Sequence, residues 1–530
     1  MTPLSQQLSN PIALAFLLAY VALVAAPFLI LVRTERPTRW LALGFALAAV
    51  AVRLPRLQAT PPGLSNDDAM TLYELSKFRG FTWQDLFGQR TDSGGTGWCL
   101  LSWYVPYRLS GSLLAIRGAG MVWTAALVAY TVTVGAAWFG LAGGAMAAAV
   151  ISFVPWSVFL SRFQWGPEIM LQQLYLMAAV ESMGRKPGWA NIVVCGLMLT
   201  TLQLTYIPAR ITVVLPLLFV LLRSRTTLGW RSIAALAAAY VIAIVGVLPH
   251  VLTGAPDFWG GLMTSYDPQH RDWWHMLNKL GVVFGSLWWP DESYGGTLAM
   301  KGAQVLPAIV VAAVAVGVLA ALRGPRRHLV RALLLAVLAG AVPSWVSAFN
   351  AGHSHRMMMM VVPLALLAGA ATLVVPMRRR AAVAAGLVAL IAVSGVRTWF
   401  SAEYWTYVMP AMRYGFTLHT TLQRELDRAP SAAVRATPVE AFALLVESER
   451  GLPPRALAMR REDLGRDEAL TVVYLGVEPS MFAELERRGA ATVERVSSDV
   501  AVVRLPRGAH GALQPLPADE RERLATLLTQ

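Results

Sequence analysis

Two adjacent carboxylates, Asp67 and Asp68, follow Pro61-Pro62-Gly63-Leu64-Ser65-Asn66 shortly after an apolar stretch. Side by side they repel each other, so a partner must hold them. Such a pair suits a general base that takes a proton from an attacking hydroxyl, with a sugar hydroxyl or a divalent metal as its partner. The same residues, placed before Ala69-Met70-Thr71-Leu72, are also good helix N-cap chemistry. Spacing alone leaves both readings standing.

A second concentration of chemistry lies far along the chain, in Asn350-Ala351-Gly352-His353-Ser354-His355-Arg356, followed by Met357–Met360 and Pro363. Arg356 offers a planar fork for a phosphate, and a helix starting there adds partial positive charge. The two histidines suit zinc, but two ligands do not define a site. A headgroup contact and solvated loop histidines are the plainer alternatives. Arg162 and Glu168 flank Phe163-Gln164-Trp165-Gly166-Pro167 and form either an ion pair or the lining of a polar cavity. Tyr206-Ile207-Pro208-Ala209-Arg210 sets another arginine at similar depth. Lys77 follows Leu72 and Leu75 on a helical pattern, where it binds a lipid phosphate or snorkels to headgroups. Tryptophans at 273, 274, 288 and 289 suit sugar stacking or, more simply, a membrane interface.

The elements that must carry these residues are apolar. The 530-residue chain is 56% hydrophobic and 14% charged, with mean hydropathy +0.51, against about a quarter charged in soluble domains. That composition excludes a wholly water-soluble enzyme and a disordered chain. Two cysteines exclude a disulfide scaffold. Runs at 11–32, 40–57, 113–136, 141–160, 168–184, 190–207, 210–223, 232–251, 302–322, 330–349, 357–376 and 381–397 predict about twelve transmembrane helices. The net charge of +14 is unevenly spread: residues 398–530 hold 16 basic and 18 acidic residues, the first 397 hold 29 and 13. A basic excess among hydrophobic segments reads as topology, so no nucleic-acid partner is expected. Short loops at 33–39, 185–189, 223–231, 323–331 and 377–380 are dense in Lys and Arg and are expected on the cytoplasmic side. The opposite face then receives the long loops at 58–112 and 252–301, the tail from 398, and 11 of the 13 acidic residues of the membrane part. The expected organisation is an all-α polytopic membrane domain over 1–397 and a small extracytoplasmic α/β domain over 398–530. In the tail, Leu470–Leu475 and Val500–Leu505 read as strands and 416–427 and 480–488 as amphipathic stretches. An aromatic-rich segment over 398–418 (Trp399, Phe400, Tyr404, Trp405) reads as an interface belt.

Taken together, these features resemble the membrane glycosyltransferases of GT-C type, most nearly the protein O-mannosyltransferase and lipid A aminoarabinose transferase group. The likeness rests on Asp67-Asp68 opening the first outer loop and on Leu109–Arg117 leading into the next span. It rests further on Pro155 to Arg162 closing a span, and on His355-Arg356 with Pro363 turning into a late helix. It runs over about residues 40–380 in a consistent order and sidedness. The group's acidic pair is commonly Asp-Glu, an aromatic usually stands where Met357 does, and the usual His-Pro-Pro is missing. The resemblance implies transfer of one sugar from a polyprenyl-phosphate donor to a lipid, glycan or protein hydroxyl at the outer membrane face, with inversion, and the Ala- and Arg-rich composition suggests that the membrane is a bacterial inner membrane. It implies Asp67 as base with Asp68 assisting, and Arg356, Arg162, Arg210 and Lys77 around the donor phosphate. Tyr206, Glu168, His353 and His355 would line the rest of the cavity. No cofactor is implied with certainty, and a divalent metal on Asp67, Asp68, His353 or His355 stays open. Asp67 and Arg356 are expected to face one cavity, about a sugar's width apart. A flippase of lipid-linked sugars fits less well, since no internal repeat is visible. A polymerase or ligase using a lipid-diphosphate donor fits less well because the interior of the second long loop is poor in arginine.

Overall fold

The computed structural model describes residues 34–55, 57, 113–162, 166–184, 188–205, 210, 212–215, 230–252, 272–287, 306–322, 324, 326–346, 357–400, 410–430, 433–437, 456–457, 468–475, 486–487, 491–496 and 500–507, with isolated positions at 14, 18, 21, 102 and 106. The chain divides into two compact units. One comprises Met1–Leu57 and Phe78–Met409, the other Gln58–Lys77 and Pro410–Gln530.

The described part of the first unit is helical. In chain order its helices are α1 (Arg36–Arg53), α2 (Leu113–Phe139), α3 (Leu141–Phe153), α4 (Pro155–Arg162), α5 (Gly166–Gly184), α6 (Trp189–Leu204), α7 (Trp230–Leu252), α8 (Trp273–Gly285), α9 (Ala308–Leu322), α10 (Arg327–Val346), α11 (Val361–Ala370) and α12 (Met377–Phe400). Among the described residues four helices are long and apolar enough to cross a bilayer, or five if α3 and α4 are one broken span. The chain is a membrane protein. The run expected at 11–32 lies almost wholly outside the described residues, and that at 210–223 is described only around the 3₁₀ turn Thr212–Val214. The loop expected at 252–301 carries a helix, α8, capped by the Asp272 carboxylate accepting from the Trp274 N–H at 3.0 Å.

α3 is the hub. It is apolar on every side and packs against α1, α2, α11 and α12. Small residues let the backbones meet, as helices do where lipid supplies no hydrophobic drive. A Cβ on Gly144 would stand 2.6 Å from the Val132 carbonyl oxygen, and one on Gly369 would stand 2.5 Å from that of Gly143. Gly140, at φ 84°, makes the tight turn between α2 and α3 that only glycine adopts without strain. α12 reaches α3 through Gly395, where a Cβ would collide with the Phe153 carbonyl oxygen.

Two sequence expectations are corrected here. The span expected at 141–160 is broken at Val154, and its halves differ in direction by 55°. Pro155 has no N–H to continue the helical ladder, which is why the break falls there. The last expected span lies within α12, which runs on to Phe400, and Trp399 of the expected interface belt is buried within the first unit, while residues 401–409 of that belt lie outside the described residues. The Trp399 indole is a packing element, for the reason given in the next section.

In the second unit the described residues form helix α13 (Pro410–Arg428) and four strands, β1 (Val434–Thr437), β2 (Leu470–Leu475), β3 (Thr492–Arg495) and β4 (Val500–Leu505), in sheet order β1-β2-β4-β3. β1 runs parallel to β2, while β4 is antiparallel to both its neighbours. α13 buries Leu418, Leu422, Glu425 and Leu426, a helical stripe, and packs on β1, β2 and β4. Glu425 is buried because three guanidiniums answer it: Arg504 and Arg424 at 3.0 Å and Arg428 at 3.2 Å. Glu494 on β3 joins the same network through Arg504 at 2.8 Å and Arg424 at 3.0 Å. These pairs bind the helix to the edge of the sheet.

Two outcomes follow from this packing. Gly395→Val forces α12 off the Phe153 carbonyl and should cost about 1–3 kcal/mol, seen as a lower unfolding midpoint in detergent. Gly386→Ala on the same helix, where a Cβ meets nothing within 4 Å, should leave that midpoint unchanged. The hydrogen bond from Arg504 holds the Glu494 carboxyl below its ordinary value of 4.5, with Arg424 and Arg428 adding to the effect. A depressed carboxylate stabilises the fold above its unfolded pKa, and that contribution is lost as pH falls through the folded one. Amide exchange in β3 and β4 should therefore accelerate below about pH 4.5, beyond the intrinsic pH dependence, and Glu494→Gln should flatten the response.

Candidate functional site

The residues expected to do chemistry divide into two groups. Asp67, Asp68, Lys77, Tyr206, His353, His355 and Arg356 lie outside the described residues. Glu168 stands in the first turn of α5, and its side chain is likewise outside the description. Arg162 and Arg210 are described, and both are buried.

The geometry around Arg162 begins with the broken helix. At the end of α3 the carbonyls of Ile151 and Ser152 lack the continuing turn that would use them. Pro155, four residues after Ile151, has no N–H to offer. An orphan carbonyl in an apolar interior is costly, about 1–3 kcal/mol. Arg53, the last residue of α1 and wholly buried, supplies what is missing. Its Nη2 donates to the Ile151 carbonyl at 3.0 Å and its Nη1 to that of Ser152 at 2.9 Å. Its Nε donates to Ser161 Oγ at 2.6 Å, and Nη2 also reaches Ser157 Oγ at 3.3 Å. One guanidinium thus splices α1, α3 and α4 at the break.

Two further arginines hold the chain that leaves α1. Arg162 Nη1 donates to the Pro55 carbonyl at 2.9 Å, and Arg117 Nη1, from the first turns of α2, donates to that of Leu57 at 2.7 Å. Both side chains are buried. The Arg162 guanidinium also lies over the Trp399 ring, 5.1 Å from its centroid, a cation–π contact worth about 2 kcal/mol when desolvated. This explains the burial of Trp399, and Gly395, one turn earlier on α12, permits the approach. The outer ends of α1, α2, α4 and α12, as the charge pattern orders them, are therefore gathered in one place by arginines.

Arg210 is used in the same manner elsewhere. Its Nε donates to the Gln203 carbonyl at 2.9 Å and its Nη2 to that of Thr205 at 3.4 Å, closing the end of α6. Arg162 and Arg210 thus each give donors to main-chain carbonyls, a scaffold use that stands beside the phosphate role expected of them. Just after Arg356, Met357–Met360 are fully buried, and a Cβ on Gly340 would stand 2.8 Å from Met360 Cγ. The four methionines are core, wedged against α10. Among the described residues no group of three or more His, Cys, Asp or Glu is placed to hold a metal ion.

Sequence reasoning passed over Arg53 and treated Arg117 only as part of a motif. A signal was present: arginines ending apolar runs on the face where the positive-inside pattern leaves few cations. Such a cation needs a local reason to be there.

No sequence-family profile and no characterised protein matches the chain. Among solved structures it is similar to ArnT from Cupriavidus metallidurans in the apo state, with TM-score 0.49 and 13% identity over 89% of this chain and 98% of that one. It is similar to the Archaeoglobus fulgidus oligosaccharyltransferase in complex with Zn and sulfate, with TM-score 0.43 and 12% identity over 81% and 68%. It is also similar to the arabinofuranosyltransferase AftD from Mycobacteria, with TM-score 0.42 and 13% identity over 89% and 40%.

Replacing Arg53 should expose the break. Arg53→Met keeps the length and loses every donor, leaving the Ile151 and Ser152 carbonyls unanswered at a cost of about 2–5 kcal/mol. Arg53→Lys, a single ammonium without the fork, should recover only part of that. Thermal unfolding of the detergent-solubilised protein measures both.

Proposed function

We propose that the chain is a GT-C-type glycosyltransferase. It moves one sugar from a polyprenyl-phosphate donor to an acceptor hydroxyl at the outer face of a bacterial inner membrane. In this reading about twelve helices make the membrane domain, and the domain from 398 stands outside the cytoplasm. The observation that carries the reading is the ordered set of motifs on one expected face. The acidic pair follows the end of α1, the Ser161-Arg162 helix end comes next, and His355-Arg356 precedes α11. The gathering of α1, α2, α4 and α12 by Arg53, Arg117 and Arg162 supports it, because the loop bearing Asp67 springs from that gathering.

The chemistry assigned to these residues is a displacement at the anomeric carbon. The acceptor oxygen attacks as Asp67 takes its proton, with Asp68 orienting the base or the acceptor. The bond from the anomeric carbon to the phosphate oxygen breaks, and polyprenyl phosphate leaves from the opposite face, so the configuration inverts. Arg356, with Arg162 and with Arg210 or Lys77, stabilises the charge that grows on the leaving phosphate. Tyr206, Glu168, His353 and His355 are assigned to the walls of the sugar site. A divalent metal beside the acidic pair would lower the acceptor's pKa, and turnover after chelation decides whether one is needed.

Release of polyprenyl phosphate from a panel of polyprenyl-monophosphate sugars, followed by mass spectrometry in detergent, tests the assignment. Asp67→Asn should lower turnover about 100-fold or more. A variant that keeps most of its activity removes Asp67 as the base. Comparing envelope lipids and glycans of a deletion strain with its parent identifies the acceptor.

A further inference from the structure

We propose that Arg117 and Arg162 form a clamp on the neck of the first outer loop, acting as positioning residues for whatever that loop carries. The two carbonyls they take belong to Pro55 and Leu57, the stretch between the end of α1 and the departure of the chain from the first unit. Here the backbone turns on itself, with the Leu57 N–H donating to the Leu54 carbonyl at 3.2 Å. A turn of this kind has no helical ladder to stiffen it. Two buried guanidiniums, borne by two different helices, each brace it from outside with one donor.

The placement of the two donors matters. Arg117 stands just inside α2, where the loop over 58–112 returns, so its bond to the Leu57 carbonyl ties the exit of the loop to its entry. Arg162 holds the entry from the other side and is itself fixed by Trp399 on α12. The neck is thus pinned between α2, α4 and α12 rather than hanging from α1 alone. The helices do not need this arrangement to associate, since α1 packs along α2 and α3 through its apolar face. Losing one fork should loosen the neck and leave the bundle assembled. Leu57 itself is only 9% exposed, as expected of a root that is held.

The loop that springs from this neck contains Asp67 and Asp68. If the carboxylates act as proposed above, on which this second half of the inference rests, their reach toward the acceptor is set partly by where the neck is held. An error of about 1 Å at reacting groups costs roughly 100-fold in rate.

The test uses the full chain with Leu57→Cys as a reporter, Cys99→Ser to remove the other loop thiol, and the buried Cys195 kept as a monitor of the bundle. Maleimide labelling is timed in detergent. Arg117→Gln and Arg162→Gln should each raise the labelling rate at 57 by about fivefold or more, a loosening sized from single charge-assisted hydrogen bonds. Cys195 should stay protected. Arg162→Lys, which keeps one donor, should fall between. Unchanged labelling at 57, or Cys195 opening in step with 57, overturns the clamp. If Arg117→Gln does not fold, Arg117→Lys is read by the same criteria. None of this requires activity, so a chain that fails every glycosyl donor still decides the clamp. Where turnover is observed, Arg117→Gln with a loosened neck should lose about tenfold or more in kcat with donor KM changed less than about twofold. A loosened neck with kcat intact overturns the link to Asp67.

Discussion

Everything described in the first unit depends on one constraint, that a main-chain carbonyl out of reach of water must find a donor. A proline in the middle of a span breaks the supply of donors at a known place. Here the shortage falls at Ile151 and Ser152, and Arg53 meets it from a helix distant in sequence. The break then bends the chain by 55°, and α4 delivers Ser161 to the same guanidinium and Arg162 to the next turn of chain. Buried arginines usually cost stability unless every donor is answered. Arg53 makes five hydrogen bonds of this kind, to Ala49, Ile151, Ser152, Ser157 and Ser161.

The second unit solves a different problem. Among its described residues one helix lies on a small sheet, which leaves little apolar area to bury. It adds an ionic seam in which Glu425 and Glu494 are shared among Arg424, Arg428 and Arg504. The partly exposed members of such a seam are individually weak and solvent-screened. Their use lies in register: each carboxylate meets two or more guanidiniums, so sliding α13 along the sheet breaks several pairs together.

Much of this was legible in the residues. The runs at Leu470–Leu475 and Val500–Leu505 are strands with those bounds, because branched and aromatic residues dominate them. β1 and β3, Val-Arg-Ala-Thr and Thr-Val-Glu-Arg, are four residues each and at least half polar, which no short-range pattern separates from loop. The span at 141–160 was legible as apolar and its Pro155 as a breaker, but only the tertiary partner, Arg53, decides that a sharp bend can be sustained there. For the candidate site, arginines on the acid-rich face were legible as unusual. Their use was not, since a planar fork satisfies a phosphate and a pair of main-chain carbonyls equally well. Which main-chain carbonyls they reach is set by distance, and the sequence carries none. Trp399 shows the same ambiguity, an aromatic at a helix end serving the interface in one environment and a buried cation in another.

The splice at Arg53 also has a history within each molecule. Its non-local acceptors lie 98 to 108 residues further along the chain. At about 5–20 residues per second a ribosome takes roughly 5–20 seconds to produce them. For that interval α1 sits in or beside the bilayer with a cation at its end and none of its later partners. The side chain must spend that time snorkelled toward headgroups and water. The splice therefore cannot form with α1 alone. It forms when α4 arrives, and the withdrawal of Arg53 from the membrane surface into the break marks that moment.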